Sequence, residues 1–389
     1  MNQGKTVFAQ ILAFLDYEVF RSCVRRYGGD HGVRRLSCWE QFLAMAFAQL
    51  TWRESLRDIE VSLAAHRQQL YHSGFRSPIK RSTLADANER RDWRIYAEFA
   101  QHLIRIAQPL YSGTDLGFSL DAAVYALDST VIDLCLALFP WAPYQRSKAA
   151  IKLHTMLDLK GSIPVLIDIT DWRGHDSWVL DHVIVEPGCF LVMDRNYGDF
   201  RRLYRLHQSR AYFVLRSKNN LQYRRRRSHP IDRTTGVRSD QTVLLTGVDT
   251  QYWFPDQLRR ISYYAADTQN HLVFITNNFT ISAATVAAIY RQRWQVELFF
   301  KWVKQHLRIK RFFGTSPNAV KTQIWISVAV YVLIAIIKKQ MGLSHSLYTI
   351  LQILSTSLFD KTPIQLVFQR YDAISYFGGT RKQLQLFDI

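Results

Sequence analysis

Between Val124 and Ser217 the chain passes through short apolar and amphipathic segments in an order that few folds accommodate. VYALDSTVI (124–132) is an apolar, β-branched run, as strands are. IKLHTMLDL (151–159) and SIPVLIDIT (162–170), joined across Lys160-Gly161, have the alternation and the turn of a hairpin. A short helix is predicted over 176–183, and CFLVMD (189–194) follows as a buried strand. YGDFRRLYRLHQS (197–209) has helical spacing, and AYFVLRS (211–217) returns to strand. The order is therefore strand, strand, strand, helix, strand, helix, strand.

The flanks read differently. Residues 1 to about 115 are predicted helical: Val7, Ile11, Phe14 and Leu15 fall at helical spacing, and WEQFLAMAFAQL (39–50) and RESLRDIEVSLAAHR (53–67) continue the pattern. Thr83 with Asp86 has the spacing of a capping box that would open a helix through Tyr96. Arg76, Lys80, Arg81, Arg90, Arg91 and Arg94 surround that point. A helix-turn-helix DNA reader and a plain helical bundle both remain open, because the connection exceeds the usual tight turn. Beyond residue 217, strand-like pieces (TVLLTGV, ISYYAA, LVFITN) punctuate a polar stretch to about 283. A long helix is then predicted from Ile281–Thr285 to about 310, with two more beyond Gly342, one after Ser346 and one with Pro363 in its first turn. The fourteen-residue run IWISVAVYVLIAII (324–337) falls short of the ~20 apolar residues a membrane span needs and is expected to be a buried core helix.

Three antiparallel strands feeding a mixed sheet with flanking helices is the ribonuclease-H-like order. The expected class is thus α/β, a ribonuclease-H-like core interrupted by a β-rich insertion and preceded by an all-helical N-terminal domain. The expected segments are a helical DNA-binding domain (1–118), the first part of the core (119–217), the insertion (218–283), the last core helices (284–342) and a helical C-terminal segment (343–389).

Charge narrows the function. The net charge of +18 points to a polyanionic partner, and an apolar fraction of 48% excludes a disordered basic tail protein. Residues 201–235 carry a balance of +10 and residues 290–313 a balance of +6, so 59 residues hold +16 of the total. Neutralising phosphates is the commonest reason to concentrate like charges, although Arg224-Arg225-Arg226-Arg227 also fits a bare loop tip. The four cysteines stand far apart with no C-x-x-C pair, which fits a reducing cytosol and argues against a thiolate zinc site. The first residues lack the basic and apolar regions of a secretion signal.

Two aspartates stand out by position. Asp128 lies inside an apolar strand, where an ionised carboxylate needs compensation from a metal or from hydrogen bonds. Asp194 closes the CFLVM strand at its C-terminal end, where α/β sheets place ligand-contacting groups. On the late helix, Tyr290, Arg293, Glu297 and Lys304 fall within roughly 60° of one another at ~100° per residue. That face carries a hydroxyl, a guanidinium, a carboxylate and an ammonium; a salt-bridged solvent face, with Glu297 and Lys301 at i,i+4, is the other reading. His154, His175 and His182 match no standard zinc spacing.

With Asp128, Asp194 and Glu297 in this order and Y-x2-R-x3-E-x6-K complete at 290–304, the sequence resembles bacterial insertion-sequence transposases of the DDE superfamily, in the "insertion sequence four" group. LDSTVI, MDRNYGDF, FVLRSK around Arg216 and FITNN resemble that family's blocks, and SLRDIE and RSTLADAN resemble its helical N-terminal domain. The resemblance implies a transposase that binds the inverted-repeat ends of its own element, nicks them, excises through a hairpin and joins them to target DNA. The three acids would hold two Mg²⁺ ions, with Mn²⁺ able to substitute, for in-line phosphoryl transfer. Tyr290, Arg293 and Lys304 would grip phosphates, with Arg216 and Arg224–Arg227 as further DNA contacts, and an insertion aromatic would stack a flipped base. Trp253 is the candidate for that platform and Trp294 a weaker second. Double-stranded DNA is the implied partner, with a homodimer expected in the DNA complex, no membrane expected, and the bacterial cytoplasm and nucleoid as the expected setting. Asn196 stands where the family often has Gly; Asn tolerates left-handed backbone, so activity is expected to persist. A nuclease without strand transfer, a non-enzymatic DNA-binding derivative and a membrane-associated basic protein are the alternatives.

Overall fold

The computed structural model describes residues 4–145, 148–306 and 312–378. The chain separates into two compact units, 111–301 and a second made of 1–110 with 302–389. The helices of the first stretch are α1 (Val7–Leu12), α2 (Tyr17–Arg26), α3 (Cys38–Leu50), α4 (Leu56–Ala65), α5 (Arg67–Leu70), α6 (Arg81–Arg90) and α7 (Arg94–Tyr111). Side-chain oxygens set several of the starts: Thr6, Asp16 and Ser55 each accept from a backbone N–H in the first turn, and Ser37 with Glu40 closes a capping box. The expected box at Thr83 and Asp86 does not form. α6 begins earlier, at Arg81, with no side-chain cap, so Thr83 is interior to it. Helix α3 is buried on nearly every side, and its Gln41 joins Asn88, Arg91 and Tyr96 in a satisfied internal network.

The other unit is built on one ten-stranded sheet. Its strands are β1 (Val124–Leu134), β2 (Pro143–Gln145), β3 (Lys148–Asp158), β4 (Ile163–Asp171), β5 (Phe190–Met193), β6 (Tyr212–Arg216), β7 (Tyr223–Ser228), β8 (Val237–Leu245), β9 (Leu258–Ala265) and β10 (Asn270–Thr276). β1, β3 and β4 pair antiparallel, while β5 runs parallel to β1 and β6 parallel to β5. This is the ribonuclease-H-like order the sequence predicts. Gly161 turns the β3–β4 hairpin, and a side chain there would meet the Tyr111 ring at 2.5 Å. The segment after β6 does not stand apart as a separate layer. β10 pairs with β6, and β9, β8 and β7 continue the same sheet outward. Helices α8 (Phe200–Gln208), α9 (Val248–Trp253) and α10 (Ala283–Arg291) complete this part, and α11 (Trp294–His306) follows. The short helix expected over 176–183 is a 3₁₀ turn, Asp176–Asp181, opened by His175.

The last helices are α12 (Pro317–Gln340), α13 (Leu347–Ser357) and α14 (Ile364–Gly378). α12 is long and apolar enough to cross a membrane, but its most apolar window is 94% buried. Residues 324–337 are buried throughout, packed on α3 and α6, as a helix apolar on all sides must be in a folded core. The N-terminal helix is stitched to the C-terminal segment: Gln10 bonds the backbone of Thr362 and Ile364, and the Phe8 N–H donates to the Leu358 carbonyl. Those bonds explain why the two ends of the chain form one unit.

Candidate active site

Strand register brings the two aspartates together. The parallel pairing of β1 and β5 ends with Leu127 opposite Met193, so Asp128 and Asp194 are the next residues on strands ~4.8 Å apart. β1 continues past Asp128 paired with β3, while the chain leaves the sheet after Met193 and turns through Arg195–Tyr197. The divergence opens a space at the C-terminal end of β5, where open α/β sheets bind ligands. Asn196 sits within that right-handed 3₁₀ turn, so no left-handed conformation is asked of it.

The predicted single late helix is two. α10 ends at Arg291, and the backbone N–H groups of Gln292, Arg293, Gln295 and Val296 each reach back three residues, tightening the joint into 3₁₀ geometry. Tyr290 is therefore on α10, Arg293 in the joint and Glu297 on α11, so a single helical projection does not describe them. They converge nonetheless. Arg293 donates to Asp128 Oδ2 at 2.6 Å and to Glu297 Oε1 at 2.6 Å. The Tyr290 hydroxyl points at Asp194 Oδ1, 3.5 Å away, and its ring lies 5.8 Å from the Arg293 guanidinium.

Burial pushes the Asp128 carboxyl up to about 6; Arg293 and the Ser129 N–H pull it down, and Glu297 and Asp194 push it further up. Burial works against the Arg293 charge, but Tyr290, Asp128 and Glu297 outweigh it and hold the guanidinium more firmly protonated than usual. Burial also raises the Tyr290 phenol, which feels Arg216 at the end of β6.

Arg293 is the counter-charge that Asp128 and Glu297 share, while Asp194 is met by the Tyr290 hydroxyl. Among the described residues no three acids or histidines already form a cage for a metal. The donor chemistry nevertheless suits a hard divalent ion, being oxygen only. Two polar atoms are left over beside these carboxylates. Arg293 Nε and Thr155 Oγ1 are buried with no hydrogen-bond partner, and Thr155 is the cross-strand neighbour of Asp128. Leaving such groups unsatisfied costs about 1–3 kcal/mol each. The residues thus fit a divalent cation, provided Arg293 gives up its two carboxylates.

The other predicted contacts lie elsewhere. Lys304 is exposed on α11, and Trp294, 48% exposed, opens that helix. Arg224–Arg227 are not a loop tip; they form the exposed edge strand β7, with a register shift between Arg225 and Arg227. Trp253 ends α9 with Arg201 stacked 4.9 Å from its ring, beside a pocket of about 520 Å³ lined also by Phe200, Arg202 and Arg205. His154 bonds Thr170, His175 caps the Asp176 turn and His182 pairs with Asp168, so each has a local role. Sequence reasoning missed Ser129 and Tyr197, which bond Asp128 and the Asp194 backbone, and Asp176 and Lys152, which are linked to Ser129. Their only signal was adjacency, Ser129 following Asp128 and Tyr197 lying three residues after Asp194.

Residues 119–333 match the family described as the transposase DDE domain, and residues 3–76 match a domain of unknown function, DUF4372. The chain is 30% identical over 292 residues to a protein of Sinorhizobium fredii described as transposase y4zB, covering 73% of this chain and 79% of that one. It is 32% identical over 225 residues to the transposase described for insertion sequence element IS5377 of Geobacillus stearothermophilus, 57% of this chain and 59% of that one. A solved piggyBac transposase synaptic complex with hairpin DNA aligns at 12% identity and a TM-score of 0.46, covering 96% of this chain and 82% of that one. The chain belongs to the transposase DDE domain family, the insertion-sequence transposases of the DDE superfamily, which cut and transfer DNA strands with a divalent metal.

Proposed function

We propose that this transposase binds the inverted-repeat ends of its own insertion sequence and cleaves and joins them at the centre formed by Asp128, Asp194 and Glu297. The observation that carries the reading is the convergence of Asp128 and Glu297 on one half-buried guanidinium beside the adjacent Asp194. When bound, two Mg²⁺ ions, or Mn²⁺ in their place, would activate the attacking oxygen and stabilise the leaving one. The chain's own part is to hold the three carboxylates in position. With DNA bound, Arg293 releases Asp128 and Glu297 and takes a phosphate, for which its planar fork is suited. Tyr290, Lys304 and Arg216 bind neighbouring phosphates, and β7 presents Arg224–Arg227 to the duplex further out. Trp253, with Arg201 displaced from its face, stacks a base turned out near the element's end. Residues 1–118 recognise the end, release proceeds through a hairpin, and two copies act together in the cytoplasm because two ends require two active sites.

The test uses a plasmid carrying DNA that flanks the reading frame, with wild type and Glu297→Ala. Metal-dependent release at both ends by wild type alone supports the reading. Cutting scattered through the plasmid supports a nuclease without strand transfer, and end binding with no cutting by wild type supports a DNA-binding derivative.

A further inference from the structure

Behind the two aspartates lies a polar cluster that the reaction does not directly use. Successive side chains on a strand point to opposite faces, so Ser129 turns away from the face that carries Asp128. Its hydroxyl donates to Asp176 Oδ1 at 2.7 Å, while its N–H donates to Asp128 Oδ1 at 2.8 Å. Asp176 is held in turn by Lys152 on β3, with Nζ 3.0 Å from Oδ1 and 2.8 Å from the Gly174 carbonyl. Both members of this ion pair are largely buried, at 13% and 18% exposure. Burying two charges contributes little net stability; what the contacts of Lys152 and Ser129 do supply is a fixed position for Asp176.

The Asp194 side reaches the same point. Tyr197, 1% exposed, closes the turn that begins at Asp194, its N–H bonding the Asp194 carbonyl at 3.0 Å. Its turn packs on the Asp176 turn. Its hydroxyl has no hydrogen-bond partner, yet it sits beside the Ser129 hydroxyl and within the fields of Asp128 and Asp176. A small closure of the turn would complete the chain Tyr197–Ser129–Asp176–Lys152.

We propose that Tyr197, Ser129, Asp176 and Lys152 form a positioning network that ties the strand carrying Asp128 to the turn carrying Asp194, and so sets the spacing of the two carboxylates for their divalent cation. Resting on the proposed function, it assigns these residues no contact with the DNA or the reacting atoms. Outer-shell groups of this kind are worth roughly 10–100-fold in metal affinity.

The experiment measures Mn²⁺ binding to the full chain without DNA, by electron paramagnetic resonance, for wild type, Tyr197→Phe, Asp176→Asn, Ser129→Ala and Asp128→Ala. Thermal unfolding and the Mn²⁺ dependence of end cleavage are recorded beside it. The expected result is a Mn²⁺ dissociation constant raised about tenfold or more in Tyr197→Phe and Ser129→Ala, with unfolding nearly unchanged in Tyr197→Phe and cleavage recovered at high Mn²⁺. Tyr197→Phe removes one buried hydroxyl and keeps the ring, so it reports on the network even if Asp176→Asn does not fold. Wild-type Mn²⁺ affinity in Tyr197→Phe and Ser129→Ala, with Asp128→Ala deficient, overturns the network and leaves the active-site assignment standing. Wild-type affinity in Asp128→Ala overturns both.

Discussion

Arg293→Gln, studied without metal or DNA, removes the only positive charge seen to contact Asp128 among the described residues. The Arg293–Asp128 contact is 2.6 Å, with the partners 17% and 19% exposed. A charge-assisted bond of this burial contributes about 1.5–3 kcal/mol. The Arg293–Glu297 contact has the same length, but Glu297 is 58% exposed, so it contributes at most about 0.5 kcal/mol. The expected loss is therefore about 2–3 kcal/mol at pH 8, or roughly 4–12 °C in Tm for a unit of this size. The loss depends on pH with a definite sign. With Arg293 present the Asp128 carboxyl titrates at about 6, above an unfolded value of about 3.9, so its cost to the folded state grows between those values and levels off above. Removing Arg293 raises the folded value further, so the added loss accrues only above pH about 6. At pH 5, Asp128 is protonated in both proteins and the difference shrinks to below about 1 kcal/mol. Denaturant unfolding with chelator at pH 5 and pH 8 reads this out. An equal loss at the two pH values, or none at pH 8, refutes the counter-charge role.

Asp181 offers an independent pH test. Arg202 first and Arg205 second hold its carboxyl down to about 2, so its contribution is present above about pH 4 and disappears as pH falls through 2. It is 36% exposed, so Asp181→Asn should cost less than about 1 kcal/mol at pH 7 and lose most of that difference by pH 2, as urea titrations at both pH values will show. Replacing Arg225 and Arg227 together by Ala should flatten the dependence of log K for DNA on log salt by about 1–2 units, read from binding over a salt series. An unchanged slope removes β7 from the interface. Arg293→Gln should also bind Mn²⁺ more tightly than wild type without DNA, because its carboxylates are no longer engaged; weaker binding in a calorimetric titration contradicts the exchange of guanidinium for cation.

Much of this was legible in the residues, for identifiable reasons. Strand order from 124 to 217 could be read because β-branched apolar runs and the Lys160-Gly161 turn are local signals, and the run 324–337 pointed to a buried helix over a membrane span because it has fewer than the ~20 apolar residues a span needs. Asp128 and Asp194 were visible as acids out of place in apolar strands, but only the β1–β5 register shows them side by side. The break at Gln292–Arg293 was not legible. Nothing in YRQRWQ forbids a continuous helix, and the three-residue bonds at the joint form in the folded chain. Thr83 and Asp86 have the letters of a cap but lie inside α6, because the helix begins at Arg81. The Ser129–Asp176–Lys152 cluster is assembled from three separate segments, and no spacing rule reports such a contact.

The most direct test of the central claim is cleavage of plasmid-borne flanking DNA by wild type, Asp128→Ala and Asp194→Ala, in Mg²⁺ and in chelator, with end binding measured in parallel. The account predicts release at both ends by wild type in Mg²⁺ alone, with both variants binding the ends normally and cutting neither. Normal cleavage by either variant would contradict it.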